Sequence, residues 1–158
     1  MVDPASDVAL QSNGKIVLVG QAGATFRRGP DFAAVRCRPD GTLDPHFSDD
    51  GRVRTEFQGD EDWARGVAIQ ADGTIVSVGY AYTEGSSDFA ATRDGRGGRL
   101  DRAFGNEGRV RTRFGDAAGD DYAFDAAVQP DGKIVAAGWA TPISGEGYDV
   151  GVGRYLVS

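Results

Sequence analysis

The feature that most constrains the fold is an internal repeat of 59 residues. The glycine of an Asn-Gly or Asp-Gly turn recurs at Gly14, Gly73 and Gly132, so successive copies are 59 residues apart. In each copy a segment that is similar to its counterparts and ends in Gln precedes this turn, and a short Ile-Val segment follows it. A repeat of this kind cannot bury a core alone, so neighbouring copies must stack to form one.

Each copy contains short segments typical of β-strands. In the first copy we predict strand A over residues 8–11, strand B over 15–21, strand C over 32–36 and strand D over 53–57. An Asn-Gly or Asp-Gly pair between strands A and B indicates a tight hairpin, because these residues tolerate positive φ. The third copy has strands A to C and no counterpart of strand D.

Four antiparallel strands in about sixty residues correspond to one blade of a β-propeller. We therefore predict an all-β propeller domain of eleven strands, arranged as 4 + 4 + 3, with strand A innermost and strand D outermost. One repeat domain spans residues 1–158, with blades at about 3–61, 62–120 and 121–158. Composition agrees, since Val and Ile number 20 against five Leu, and 24 residues are Gly.

The repeats resemble the delta-60 repeat family, which consists of bacterial β-propeller repeats. The resemblance is carried by residues 127–138, by residues 88–93, and by Gly-Thr-Leu-Asp at 41–44 with Phe47, which recurs in residues 98–105. It implies a bacterial protein, secreted or at the cell surface, although residues 1–4 do not indicate a signal peptide. Members of the family are thought to close a ring within one chain, whereas this chain has three repeats.

Three blades leave two open blade faces, because propellers close with four to eight blades. We expect these faces to be lined by Val17, Val19, Phe32, Ile134 and Val135. Monomers rarely expose so large an apolar surface. We therefore predict a head-to-tail homodimer with six blades. The alternative is that the chain is part of a longer array that closes within one polypeptide.

Four aromatic residues are the candidate binding residues. Trp63 and Tyr122 occupy equivalent positions just before strand A, and Tyr80 and Trp139 directly follow the glycine of strand B. Aromatic rings at such positions can stack on sugar faces while neighbouring polar groups bind hydroxyls. The alternative is packing between blades, since aromatic residues dominate core burial.

Charged residues also recur at equivalent positions, five residues apart along strand C. Side chains alternate along a strand, so an Asp and an Arg with this spacing lie on opposite faces and do not pair locally. We expect each Asp to hold a loop and each Arg to pack at a blade edge. The pairs are Asp31 and Arg36, Asp88 and Arg93, and Asp149 and Arg154.

The sequence indicates no resident cofactor. Short acidic clusters are typical of solvated turns, and the alternative is a weak calcium site. These clusters are Asp49-Asp50, Asp60-Glu61-Asp62 and Asp120-Asp121. The single His46 and the single Cys37 indicate neither a metal pair nor a nucleophile with its base, so we assign no catalytic residue.

Three classes of function remain. A net charge of −7 argues against a nucleic-acid surface, and no apolar segment approaches the length of a membrane helix. A non-catalytic binding or scaffold propeller, with protein or small-molecule ligands, is the first class. A carbohydrate-binding propeller is the second, and a hydrolase or lyase with a site in the central channel is the third. The lack of a His or Cys/His site argues against an enzyme.

Overall fold

The computed structural model describes residues 4–23, 29–57, 61–83, 85–115, 119–142 and 147–156. These residues form eleven β-strands and no helix, so no helix among them could cross a membrane. The strands are β1 (Ala5–Leu10), β2 (Ile16–Ala22), β3 (Asp31–Cys37), β4 (Arg52–Thr55), β5 (Glu61–Ile69), β6 (Ile75–Thr83), β7 (Ser86–Asp94), β8 (Arg109–Thr112), β9 (Tyr122–Val128), β10 (Ile134–Ala140) and β11 (Asp149–Tyr155).

The strands form three antiparallel sheets. Sheet I has the order β1-β2-β3-β4, sheet II has β5-β6-β7-β8, and sheet III has β9-β10-β11. The predicted 4 + 4 + 3 arrangement is therefore confirmed. Strand β5 contacts both β1 and β9, which brings the first strands of the three sheets together, while β4 and β8 form the opposite edges.

The hairpin between the first two strands of each sheet has the predicted geometry. Gly14, Gly73 and Gly132 adopt φ of 80°, 85° and 83°. In the first copy the Gly14 amide donates to the Gln11 carbonyl at 2.9 Å, and the Gln11 amide donates to the Lys15 carbonyl at 2.9 Å. This three-residue loop ends in a left-handed glycine, so the turn glycine is a backbone requirement.

A β-bulge recurs in the first strand of each sheet. The pairing register shifts between Ala5 and Asp7, between Ala64 and Gly66, and at the same point of β9. Opposite the bulge the two backbones approach closely. A Cβ at Gly79 would lie 1.8 Å from the Trp63 carbonyl oxygen, and Gly20 and Gly138 are equally constrained. The glycine within the second strand of each sheet is therefore required by the bulge.

Two apolar cores lie between the sheets. Val17 and Val19 of sheet I pack with Ile75 of sheet II, and Val76 and Val78 on the other side of sheet II pack with sheet III. We call the face of a sheet that meets the next sheet its forward face, and the opposite face its rear face. Each forward face therefore packs on the following rear face.

This arrangement corrects the predicted lining of the open faces. Val17, Val19 and Phe32 lie on the forward face of sheet I and are buried against sheet II, and Ile134 is buried on the rear face of sheet III. Val135 is the one predicted residue that lies on an open face. The error arose because alternation shows which residues share a face but not which face meets a neighbour.

The open faces carry other apolar residues. The rear face of sheet I presents Val8 and Leu10, and the forward face of sheet III presents Val150 and Val152, all of them exposed. An apolar cavity of about 290 Å³ on the rear face of sheet I includes Leu18, Ala33 and Val35.

Candidate functional site

The four predicted aromatic residues come together in a continuous row across sheets II and III. Trp63 of β5 pairs with Tyr80 of β6, and Tyr122 of β9 pairs with Trp139 of β10. The ring centroids of Tyr80 and Tyr122 lie 4.6 Å apart, edge to face, and this contact joins the two sheets. Trp63 lies 5.9 Å from Tyr80, and Tyr122 stacks on Trp139 at 5.3 Å.

Two further aromatic residues extend this aromatic row beyond the residues that the sequence indicated. The Tyr148 ring lies 3.8 Å from the Trp139 ring, and Phe124 stacks on Trp139 at 6.2 Å. Phe124 occupies the bulge of β9, and bulges commonly redirect a side chain. Neither residue has an aromatic counterpart throughout the repeat, so the repeat pattern gave no signal for them.

The bulge of β5 places a cation at the other end of the row. The Arg65 guanidinium lies 4.3 Å from the centroid of the Trp63 ring and 5.7 Å from that of Tyr80. Arg65 Nε has no hydrogen-bond partner among the described residues, and the same holds for the indole nitrogens of Trp63 and Trp139. The row therefore combines ring faces with a cation, and its unpaired N–H groups are buried.

Burial differs sharply along the row. Tyr80 is only 7% exposed because sheet III covers it, and burial raises the pKa of its hydroxyl. Trp139 occupies the equivalent position in sheet III but remains partly exposed, because no described sheet follows it. The row thus packs two sheets together at Tyr80 and presents aromatic surface at Trp139, Tyr148 and Phe124.

The recurring charged residues do not pair with each other, as the spacing predicted. Asp31 pairs with Arg54 of β4, whereas Arg36 donates from Nε to Asp44 at 2.8 Å. A hydrogen bond from Lys15 holds the pKa of Asp44 well below its usual range. These groups fasten the outer strand and the following loop to strand C, and sheet II repeats the arrangement.

In sheet II, Asp88 binds both Arg111 and Arg113, and Arg93 pairs with Asp101 at 2.8 Å. Sheet III has no outer strand among the described residues, and Asp149 and Arg154 are exposed there. Neither makes an ion pair with the described residues. The two charged positions of strand C therefore have partners in sheets I and II but not in the described part of sheet III.

The acidic clusters bind backbone groups. Asp62 accepts a hydrogen bond from the Phe57 amide at 2.8 Å, and Asp121 accepts one from the Phe114 amide at 2.8 Å. Asp50 accepts from the Arg52 amide in its own turn. Asp60 lies outside the described residues. Among those described, no three His, Cys, Asp or Glu side chains are grouped so as to hold a metal ion.

His46 lies in an exposed loop, as expected, and Cys37 is a free, partly buried cysteine. Cys37 is the last residue of β3, although we had placed it just after that strand. Two clefts of about 580 Å³ lie elsewhere, one beside Arg109 and Arg111 and one at the first hairpin turns of sheets I and II. Neither cleft includes a residue of the aromatic row.

Comparison with known proteins supports the architecture. A family model described as "Domain of unknown function (DUF5122) beta-propeller" matches residues 11–47 and 129–155. Together with the three sheets, this match identifies the fold as a β-propeller, and the specific assignment to delta-60 repeats stays a prediction.

Among solved structures, the chain is similar to a fucose lectin from Kordia zhangzhouensis, determined in complex with methyl-fucoside. The TM-score is 0.47 at 14% sequence identity, and the alignment covers 91% of this chain and 95% of the lectin. No curated protein matches the chain significantly.

Proposed function

We propose that this chain is a non-catalytic β-propeller binding or scaffold module that closes a six-bladed ring with a second copy of itself. The blades are those of a delta-60 repeat, at about 3–61, 62–120 and 121–158. The observation that carries the proposal is the equivalence of the two open sheet faces with the faces that pack inside the chain.

The apolar residues of the open faces match residues that are packed between sheets inside the chain. On the rear face of sheet II, Val67 and Ile69 contribute to the core between sheets I and II. Their counterparts on the rear face of sheet I are Val8 and Leu10, which are 56% and 71% exposed. On the forward face of sheet III, Val152 is exposed where the corresponding Ala91 of sheet II is buried. A second copy would cover both sets, with its rear face on the forward face of the first.

A polar contact repeats in the same register. Gln11 Nε2 donates to the Gly73 carbonyl at 3.1 Å, and Gln70 Nε2 donates to the Gly132 carbonyl at 2.9 Å. Each bond joins the end of a first strand to the hairpin turn of the next sheet. The third member, Gln129, occupies the same position of sheet III and makes no such bond with the described residues. Ring closure would bring it to the Gly14 carbonyl of the second copy.

Solution mass tests this proposal. One chain has a mass of 16.6 kDa, so sedimentation equilibrium should give about 33 kDa at micromolar concentration. Leu10→Asp should give the single-chain mass, because it puts a charge on the exposed apolar rear face of sheet I. Leu156→Asp is the matched control, since Leu156 is 69% exposed and follows the last residue of β11.

The control variant should keep the mass of the pair. A monodisperse, stably folded single chain of unmodified sequence would refute ring closure by two copies. Gln129→Ala adds a milder variant, which should weaken the association while the circular dichroism spectrum stays that of the parent.

The aromatic row favours a second candidate function, which is carbohydrate binding through Trp63, Tyr80, Tyr122 and Trp139. Its exposed end presents the ring faces of Trp139, Phe124 and Tyr148, and such aromatic surfaces bind the apolar side of a sugar. A glycan array, followed by titration calorimetry with Trp139→Ala, tests it. If Trp139→Ala left the affinity for the sugar unchanged, the aromatic row would not be the binding site.

The two candidates make different demands on Trp139. Ring closure would bury it as Tyr80 is buried, whereas sugar binding requires its ring to be accessible. Sugar binding that is stronger in the single-chain variant Leu10→Asp would therefore favour the second candidate.

A further inference from the structure

A cleft beside the outer strand of sheet II brings several arginine side chains together. It has a volume of about 350 Å³ and lies between the β7–β8 loop and the start of β8. We call it the arginine cleft, and its lining residues are Arg99, Leu100, Arg102, Glu107 and Arg109. Three cations and one carboxylate therefore line this cleft, in a protein whose net charge is −7.

The guanidinium groups of these arginines make no hydrogen bond or ion pair within the described part of the chain. Arg99 and Arg102 are exposed, and Arg109 is partly buried. Arg109 has a charged neighbour in Asp94, but no hydrogen bond joins the two side chains. The arginine cleft thus contains positive charge that the described residues leave uncompensated.

The loop does not need the two exposed arginines in order to fold. In sheet I, Thr42 and Pro45 stand at the positions of Arg99 and Arg102. The backbone hydrogen bonds of the two loops nevertheless correspond one to one. The arginines therefore distinguish sheet II from sheet I without serving the repeat itself.

The repeat also shows that this surface stays open when another blade packs in front of it. The counterparts of the arginine cleft in sheet I include Thr42, Pro45, Asp50 and Arg52, and all four are exposed. They are exposed although the whole of sheet II packs on the forward face of sheet I. Accessibility of the arginine cleft is thus a property of this loop and not of the assembly.

Hydrogen bonds within sheet II hold the cleft in shape. Arg93 of β7 pairs with Asp101 at 2.8 Å, which ties the middle of the loop to the sheet. The Asn106 amide donates to the Arg109 carbonyl at 2.8 Å, and the Arg109 amide donates to the Asn106 carbonyl at 3.1 Å. Groups that are held in place before binding lose less conformational freedom when a ligand arrives.

A second, larger cleft adjoins the first and shares Glu107 and Arg109 with it. Its volume is about 580 Å³, and Asn106, Glu56 and Phe57 also line it. Clefts of this size accept small organic molecules, whereas a single inorganic ion would leave most of the space empty. The two clefts together offer a cationic end and a polar end, and neither includes a residue of the aromatic row.

We propose that the arginine cleft binds the phosphate or sulfate ester of a small, hydroxylated ligand, whose remaining part lies in the adjoining cleft. Guanidinium groups pair with such oxyanions through parallel N–H···O bonds. A phosphate or sulfate ester presents three terminal oxygens to the three arginines, whereas a carboxylate presents only two. The Asn106 amide, which lies in the adjoining cleft, binds a hydroxyl group of the ligand.

Glycerol 3-phosphate and glycerol 3-sulfate are the probes, because they carry the two esters and have no ring that could stack on the aromatic row. Titration calorimetry of the full chain at constant ionic strength should show saturable binding of at least one ester and none of glycerol. Inorganic phosphate should bind more weakly than the better ester, because it cannot fill the adjoining cleft. Failure of both esters to bind, or equally tight binding of inorganic phosphate, would overturn the proposal.

Arginine variants locate the site. Arg99→Gln and Arg102→Gln should each weaken binding of the better ester by about tenfold, since each removes a charge-assisted hydrogen bond. Arg52→Gln is the matched control, because Arg52 is the exposed counterpart of Arg109 in sheet I and the change in net charge is the same. Thermal melts should show that all three variants remain folded. Equal weakening by the control would mean general attraction of anions and no site at the arginine cleft.

Removal of the carboxylate should have the opposite effect. Glu107→Gln should tighten binding of the ester by about threefold, because a negative group no longer lies beside the bound anion. Glu61→Gln makes the same change in net charge at the start of β5, outside both clefts, and should bind as the parent does. If the two variants bound the ester equally well, the anion would not lie beside Glu107 and the proposal would be wrong.

Discussion

At the scale of single residues, Asp94 is a buried carboxyl group whose ionisation is unfavourable in the folded chain. Its side chain is buried at the end of β7, and Oδ1 has no hydrogen-bond partner among the described residues. Burial raises the pKa of this carboxyl to about 7, and Arg109 on β8 only partly opposes the shift. The folded chain therefore holds the proton more tightly than the unfolded chain, whose pKa is near 3.8.

This difference sets the sign of a pH dependence. Between about pH 4 and pH 7 the folded state binds more protons than the unfolded state, so Asp94 lowers the free energy of unfolding as pH rises. We expect Asp94→Asn to lose less stability than the parent between about pH 5 and pH 8. Urea denaturation across this range measures the difference.

Asp62 serves as an internal reference in that experiment. Burial also raises its pKa, to about 6, and it remains in both proteins. Both curves should therefore still fall with pH, the parent more steeply. Parallel curves would show that Asp94 does not titrate with a raised pKa.

The turn glycines provide a second residue-scale prediction. Gly73 has φ of 85°, a region that a β-branched residue rarely adopts. Gly73→Val should lower the free energy of unfolding by more than about 1 kcal/mol. Gly97 is the matched control, because it lies in a neighbouring turn without positive φ, and a Cβ there would have no other atom within 4 Å.

Thermal melts of the two valine variants measure this prediction. Gly97→Val should melt close to the parent and Gly73→Val clearly below it. If both variants melted alike, the left-handed conformation of Gly73 would not be what the turn requires.

At the scale of strands and sheets, the contribution of the ion pairs that hold the outer strand to its neighbour can be measured separately. Asp88 is buried and binds Arg111 and Arg113, whereas Asp149 holds the same position in sheet III and is exposed. Asp88→Asn should destabilise the chain by about 1–3 kcal/mol, because charge-assisted hydrogen bonds are lost from a buried group. Asp149→Asn should change stability by less than about 0.5 kcal/mol.

Chemical denaturation of both asparagine variants measures this contrast. The chemical change is the same at both positions, so a difference reports the presence of the outer strand. Equal stability of the two variants would mean that these ion pairs do not hold β8 in place.

The sequence predicted the strands well because their signals are local. Turn glycines, alternation and a fixed period identify β1 to β11 without reference to the rest of the molecule. The face assignment was wrong at Val17, Val19, Phe32 and Ile134, because it depends on the direction in which the sheets stack. Arg65 and Phe124 were missed since the bulges that redirect them depend on pairing with the next strand.

At the scale of the whole molecule, the repeat predicted three sheets and two open faces, and the structure has both. The four repeated aromatic positions were identified from the sequence, but their contact in one row and its division into a buried and an exposed part were not. That division follows from the order of the sheets, since Tyr80 has a sheet in front of it and Trp139 has none among the described residues. Whether Trp139 is covered in solution therefore depends on assembly.

Assembly also predicts how thermal stability depends on concentration. If two copies close the ring, unfolding releases two chains, and a hundredfold rise in protein concentration stabilises the pair by about 2.7 kcal/mol. Divided by the unfolding entropy of a pair of this length, this corresponds to an increase in Tm of about 4 °C. Calorimetry or fluorescence melts of the parent over that concentration range should show the shift.

Leu10→Asp should melt at a temperature that does not change with concentration, because its rear face cannot join a second copy. Leu156→Asp should shift as the parent does, since Leu156 follows β11 and belongs to no strand. A parent Tm that is constant over a hundredfold range would show that the ring is not closed by association. In that case the open faces of sheets I and III would have to remain exposed or be covered by another partner.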